Sequence, residues 1–148
     1  MEEFWENSLP PGYYDMVLDE GMTKNRGLQA NWHNTTYLKI SDSIDDCSVH
    51  LDYACGPGSL IGNYLNSDNL YGVDISKNQI QYAKNKYGKK GNFFINENFK
   101  EEEYKNYFDS ISTIGLMEYL TDKEIKDLLN DFYLMLKPTL KLVQRKSL

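Results

Sequence analysis

Two carboxylates and a pair of glycines hold the densest chemistry in this chain. Asp52 stands just ahead of the run Cys55-Gly56-Pro57-Gly58, and Asp74 follows Asp52 by 22 residues. Glycines at that spacing let the backbone take positive φ or approach a ligand closely. An acid about twenty residues beyond such a loop, at the end of the next strand, is placed to take both hydroxyls of a ribose. The loop lacks the third glycine of a dinucleotide fingerprint, because position 61 is Ile and the next glycine is Gly62. Asp52 would repel a pyrophosphate and attract an ammonium or a sulfonium. The pattern therefore favours a nucleoside bearing positive charge over a dinucleotide, with a plain tight turn as the bland alternative.

These groups meet only if short strands end beside them. Residues 49–53 alternate as a strand that runs into the glycine turn, and a short helix follows from Ser59, with Leu60, Tyr64 and Leu65 on one face. Residues 70–74 read as the second strand. Ser76 and Gln79 have capping-box spacing at the start of the next helix. Ile80, Ala83 and Tyr87 form its inward stripe, and Gly88 ends it. Residues 92–95 predict a third strand, 100–107 a surface turn or short helix, and 108–115 a fourth strand. Thr121 and Glu124 predict a second capping box. Behind it, Ile125, Leu128, Leu129, Phe132 and Leu136 recur at helical spacing as a core stripe, until Pro138 ends the run. Residues 140–143 read as a fifth strand. Strands alternating with helices imply an α/β fold, doubly wound around a mostly parallel sheet of about five strands.

The 148 residues suit one compact unit, with residues 1–47 as an N-terminal helical cap and 48–148 as the α/β core. A helix is expected in the cap from about Leu28 through Trp32, Tyr37 and Ile40. The net charge of −6 lies entirely in the cap, where nine acids face three bases; the core carries thirteen of each. No basic track suits a phosphate backbone, which disfavours nucleic acid. Two cysteines, Cys47 and Cys55, are too few for a disulfide framework or a structural zinc site. No apolar run approaches the ~20 residues that span a bilayer, and no signal peptide precedes the fold, so a cytoplasmic location without membrane attachment is expected.

The run Leu51-Asp52-Tyr53-Ala54-Cys55-Gly56-Pro57-Gly58-Ser59 resembles motif I of class I S-adenosylmethionine-dependent methyltransferases, which share a Rossmann-like core. Gly72-Val73-Asp74-Ile75-Ser76 resembles the end of their second strand. Residues 94–99, 108–120 and Leu136-Lys137-Pro138 are similar to later family segments in the same order. The resemblance implies S-adenosylmethionine as cofactor, S-adenosylhomocysteine as product and no metal. It assigns Asp52, Ala54, Gly56 and Gly58 to the methionine and ribose side, and Asp74 to the ribose hydroxyls. Ile75 would pack on adenine, Asn98 would bond its edge, Phe99 would cover it, and Ile114 would approach the amino acid end. Thr139-Leu140 departs from the family's usual glycine pair, and the family's last two strands have no counterpart here. Either a naturally reduced form or a fragment of a longer protein is implied, with strand five left as an edge in both cases and a homodimer through that edge as the expected consequence.

Methyl transfer needs alignment of the acceptor more than a catalytic triad. Candidates on the acceptor side are Tyr14 and His33 in the cap and Tyr119 after the fourth strand, where many relatives place a His. Each has a packing alternative, whereas His50, mid-strand, reads as structural and Cys55 as a small apolar residue. The acceptor is expected to be a small molecule, neutral or cationic. A binding or regulatory protein that keeps the cofactor site without turnover is the alternative, and a nucleotide-dependent oxidoreductase of the same sheet class is disfavoured.

Overall fold

The computed structural model describes residues 2–23 and 27–138. Four parallel strands, β1 (Val49–Tyr53), β2 (Asn69–Asp74), β3 (Asn92–Ile95) and β4 (Ser110–Thr113), form one sheet in the order β3-β2-β1-β4. The reversal of order between β1 and β4 creates the crevice at which open α/β sheets bind ligands. Register sets Asp52 beside Gly72 on one neighbour and Ser112 on the other, so its carboxylate stands mid-sheet near the carboxyl ends.

The two faces of the sheet carry separate cores. On one, Leu60 and Ile61 of α4 (Ser59–Asn63) and Ile80, Ala83 and Tyr87 of α5 (Lys77–Tyr87) pack with Leu70 and Phe93. Leu18 of α2 (Tyr13–Thr23) and Tyr37 of α3 (Leu28–Ser41) extend that cluster into the N-terminal helices, which begin with α1 (Glu2–Asn7). On the other face, Leu51, Val73, Phe99 and Phe108 meet Phe132 and Met135 of α6 (Asp122–Met135). This is an α/β fold with a parallel sheet covered by helices on both faces and an N-terminal helical region.

Local signals placed most elements correctly, and three departures have physical causes. The fourth strand is shorter than 108–115. Phe108 instead forms an isolated parallel bridge with Leu136, and Lys137 N–H donates to Phe108 O at 2.8 Å. The core stripe of α6 is also shorter than expected. Phe132 and Met135 are buried, but Ile125 and Leu128 are half-buried and Leu129 is 49% exposed. The last turn of the helix is hydrogen-bonded to the segment that leads into β4, where the N–H groups of Asn106, Tyr107 and Phe108 bond the carbonyls of Leu134 and Met135. Finally, the Ser76 box is half made: Ser76 Oγ accepts Gln79 N–H, while the Gln79 side chain leaves the helix. Its Oε1 accepts Gly12 N–H at 3.0 Å and its Nε2 donates to Pro10 O at 2.9 Å, clasping the Pro10-Pro11-Gly12 turn. The Thr121–Glu124 box is complete. The fifth strand at 140–143 lies outside the described residues.

Candidate functional site

At the end of β1 the chain turns through three residues of positive φ: Ala54 at 65°, Gly56 at 53° and Gly58 at 80°. A non-glycine residue in this region is strained by about 1–2 kcal/mol, so the rest of the fold must hold Ala54 there. The two glycines differ in purpose. A Cβ on Gly58 would come within 2.8 Å of Phe93 Cε1, so this glycine lets the loop pack on β3. A Cβ on Gly56 would meet only Tyr14 Cδ2, at 3.6 Å, so the positive φ is what excludes a side chain there.

Asp74 closes the loop. Its Oδ2 accepts Gly56 N–H at 2.8 Å and its Oδ1 accepts Ser76 N–H at 2.8 Å. Each carboxylate oxygen keeps a further lone pair, so the group can still take two hydroxyls. Burial pushes the Asp74 carboxyl up, and the bonds from Ser76 and Gly56 work against that shift.

Asp52 is 3% exposed, and its Oδ1 accepts the Ser112 hydroxyl at 3.0 Å. Having given its only hydrogen to Asp52, Ser112 must accept one from His50 Nε2, 2.9 Å away. His50 Nδ1 is then bare and accepts the Ser110 hydroxyl at 2.8 Å. Burial holds His50 down near a pKa of about 4, so the ring is neutral, as this chain of bonds requires. Burial pushes Asp52 up to about 7, opposed by Ser112 and reinforced by Asp74. Two desolvated acids on adjacent strands make a floor that favours a cation.

The N-terminal helices lie over this floor. Tyr14 packs near Gly56 and within 5.1 Å, between ring centroids, of His33. Burial raises its hydroxyl, with Tyr119, Tyr13, Asp74 and Glu118 adding to the effect. His33 is 9% exposed, its imidazole is held neutral by burial, and its Nδ1 has no hydrogen-bond partner. Trp5 of α1 meets Tyr119 edge-on at 5.1 Å. The helices are fastened by Asp15, a buried residue whose carboxylate accepts Ser59 Oγ, Tyr82 and Tyr87 hydroxyls and Lys86 Nζ at 2.5–2.9 Å.

A cavity of about 1380 Å³ runs between floor and cap. The floor contributes Asp52, Ala54, Gly56, Asp74, Ile75 and Ile114. Tyr14, His33 and Tyr119 stand in the same cavity, in different walls. Three residues expected at the site do not line it. Gly58 is spent on Phe93, as above. A 3-10 turn over Asn96–Asn98 turns the chain so that Asn96 reaches the cavity while Asn98 is exposed elsewhere. Phe99 is 4% exposed in the far core, stacked on Tyr104 at 4.6 Å. Sequence reasoning passed over Trp5, Gln79, Tyr37 and the α6 acids in the wall. Helical spacing places Glu124, Asp127, Leu128 and Asp131 on one face of α6, which is the signal that could have found them.

The floor suits the implied cofactor. Asp74 offers acceptors to a ribose, Gly56 and Gly115 leave space that a side chain would narrow, and the paired acids match a cation. Among the described residues no group of three or more His, Cys, Asp or Glu could hold a metal ion. No helix among them is long and apolar enough to cross a membrane.

Residues 51–139 match the family described as the methyltransferase domain, and the chain belongs to that family. Among solved structures it is similar to magnesium protoporphyrin IX methyltransferase from Synechocystis PCC 6803 with bound SAH. The TM-score is 0.67 at 16% identity, over 91% of this chain and 66% of that one. It is also similar to a TehB-like SAM-dependent methyltransferase from Corynebacterium glutamicum, with TM-score 0.54 and 20% identity over 72% and 63% of the two chains. At these identities the likeness shows the fold. The chain spans 66% and 63% of the lengths of these two proteins. No curated protein matches the sequence.

Proposed function

We propose that this protein is an S-adenosylmethionine-dependent methyltransferase acting on a small-molecule acceptor, in the cytoplasm and without a metal. When bound, the cofactor supplies a methyl already activated on sulfur, ready for in-line displacement. Asp74 would bind the ribose hydroxyls while Gly56 and Ser76 hold its carboxylate in place. Ile75 and Asn96 would meet the base, and Asp52, Ala54 and Ile114 the methionine end. Gly58 would support this surface from behind, where the loop packs on Phe93. On the acceptor side, Tyr14 and Tyr119 would orient the nucleophile and shut out water, and neutral His33 would take up its proton at a ring nitrogen. Residues 1–47 would then serve as the cap of a core begun at residue 48.

One observation carries this reading. Asp52 and Asp74, both desolvated and anchored, face one cavity with the positive-φ loop between them. Pairing of two copies along an open sheet edge belongs to the same proposal, since β4 ends the sheet among the described residues. Calorimetric titration with S-adenosylmethionine and S-adenosylhomocysteine tests the reading. Micromolar binding should weaken by about 10–100-fold in Asp74→Ala, the loss of one or two charge-assisted hydrogen bonds. Undiminished binding in that variant would remove Asp74 from the site. Binding by a folded chain with no turnover on any acceptor would support a regulatory protein instead.

A further inference from the structure

A buried polar ladder follows the seam between β1 and β4 and ends at the cavity. Alternate residues of a strand share a face. His50 and Asp52 of β1 therefore stand on one side of the sheet, in register with Ser110 and Ser112 of β4. The bonds pass from Ser110 to His50, on to Ser112 and then to Asp52, at 2.8, 2.9 and 3.0 Å. His50 is 1% exposed, and both its ring nitrogens are engaged. The fold alone does not call for such a ladder, because apolar residues of the same shape in place of hydrogen-bonded partners can be nearly neutral or stabilising.

The ladder has one open end. Asp52 gives Oδ1 to the Ser112 hydroxyl, while its Oδ2 accepts no hydrogen bond from the described residues and keeps contact with the cavity. Among the described residues, the cavity wall holds no Lys or Arg that could pair with that oxygen. The titratable groups on the elements around Asp52 are Asp74 on β2, Cys55 in the loop, Tyr37 and His33 on α3 and Tyr14 on α2. Burial keeps the thiol, the two phenols and the His33 imidazole neutral near pH 7. A positive ligand is thus the counter-charge the open oxygen lacks. The His50 tautomer decides which way Ser112 points. A hydrogen on Nε2 makes the serine an acceptor there and commits its own hydrogen to Asp52, whereas a bare Nε2 would draw that hydrogen away.

We propose that His50 and Ser112 are positioning residues for the methyl donor: together they commit a hydroxyl hydrogen to Oδ1 of Asp52 and leave Oδ2 to meet the positive charge of S-adenosylmethionine. This rests on the methyltransferase reading above. The test measures S-adenosylmethionine affinity by calorimetry, from about pH 6 to about pH 9, in the wild type, Ser112→Ala, Ser112→Thr and His50→Leu. In Ser112→Ala the rise of affinity with pH should move up by about one unit, a loss of about fivefold near pH 7 that is recovered near pH 9. The ratio to wild type is read at each pH, because titration of the ligand's own amine cancels from it. A merely loosened sheet would lower affinity by one factor at every pH. Ser112→Thr keeps the hydroxyl and should restore the wild-type profile. His50→Leu, which frees the serine to turn, should shift the profile the same way by less. A second measurement needs no variant at the ladder. Long-range 1H–15N correlation at about pH 8 should find the His50 proton on Nε2, with His33, the other histidine, identified by its loss in His33→Gln. A proton on Nδ1 of His50, or a Ser112→Ala ratio that does not change with pH, would overturn the proposal. Failure of S-adenosylmethionine to bind the folded wild type would overturn the methyltransferase reading instead, and the tautomer, read on the free chain, would then decide the ladder by itself.

Discussion

Asp52 sets ligand binding against stability at a single side chain. In the folded protein its carboxyl is raised to about 7 by burial, against roughly 3.9 in an unfolded chain. Its contribution to the fold is therefore greatest below about pH 4 and is lost as pH rises through 7. Binding of a cation runs the opposite way, since the carboxyl must first give up its proton. Affinity for S-adenosylmethionine should climb by up to about tenfold per unit as pH approaches 7, then level off. Asp52→Asn should flatten that profile and raise stability above pH 7 by about 0.5–2 kcal/mol, read by thermal denaturation. A wild-type affinity indifferent to pH would mean that Asp52 does not meet the cation. The serine–histidine chain behind it, from Ser110 through His50 to Ser112, keeps a hydroxyl hydrogen directed at the carboxylate.

Among the elements, the attachment of α2 to α4 and α5 is the most concentrated. Burial alone would push the Asp15 carboxyl up, but the bonds from Lys86, Ser59, Tyr87 and Tyr82 outweigh it and hold it below the usual range. That attachment is present above about pH 4 and weakens as pH falls through the depressed value. Asp15→Ala should cost about 2–4 kcal/mol in denaturant unfolding and should open the α2 backbone to hydrogen exchange before the sheet. Equal protection of α2 and the sheet in the variant would show that the helix docks through Leu18 instead. None of this was legible in the sequence, because the donors to Asp15 lie at 59, 82, 86 and 87. The strands at 49–53 and 92–95 and the caps at Ser76 and Thr121 were legible, since each signal sits within a few residues of what it specifies. Periodicity also found α6, yet it could not say that only Phe132 and Met135 of its stripe would be fully buried. Spacing could not tell that a 3-10 turn over Asn96–Asn98 would bring Asn96 rather than Asn98 to the cavity wall.

For the whole molecule, cap, floor and outer wall share one cavity, so ligand and fold should stabilise each other. Saturation with S-adenosylhomocysteine at about 100 times its Kd should add about 2.7 kcal/mol, a rise of roughly 5–11 °C in Tm for a chain of this size. A shift absent despite calorimetric binding would mean that the unfolded chain binds as well. The order of the walls along the chain has a consequence in time. Trp5 to Tyr37 and the floor through Asp74 and Ile75 precede Asn96, while the outer wall comes from residues 115–131. During synthesis on a ribosome, the glycine loop and both its acids emerge well before the residues that enclose the opposite side. β4, which brings the serines that orient Asp52, is also made late. A half-made chain therefore carries the glycine loop and both acids with no closed chamber above them, and the cavity is walled on its far side only when α6 has left the tunnel.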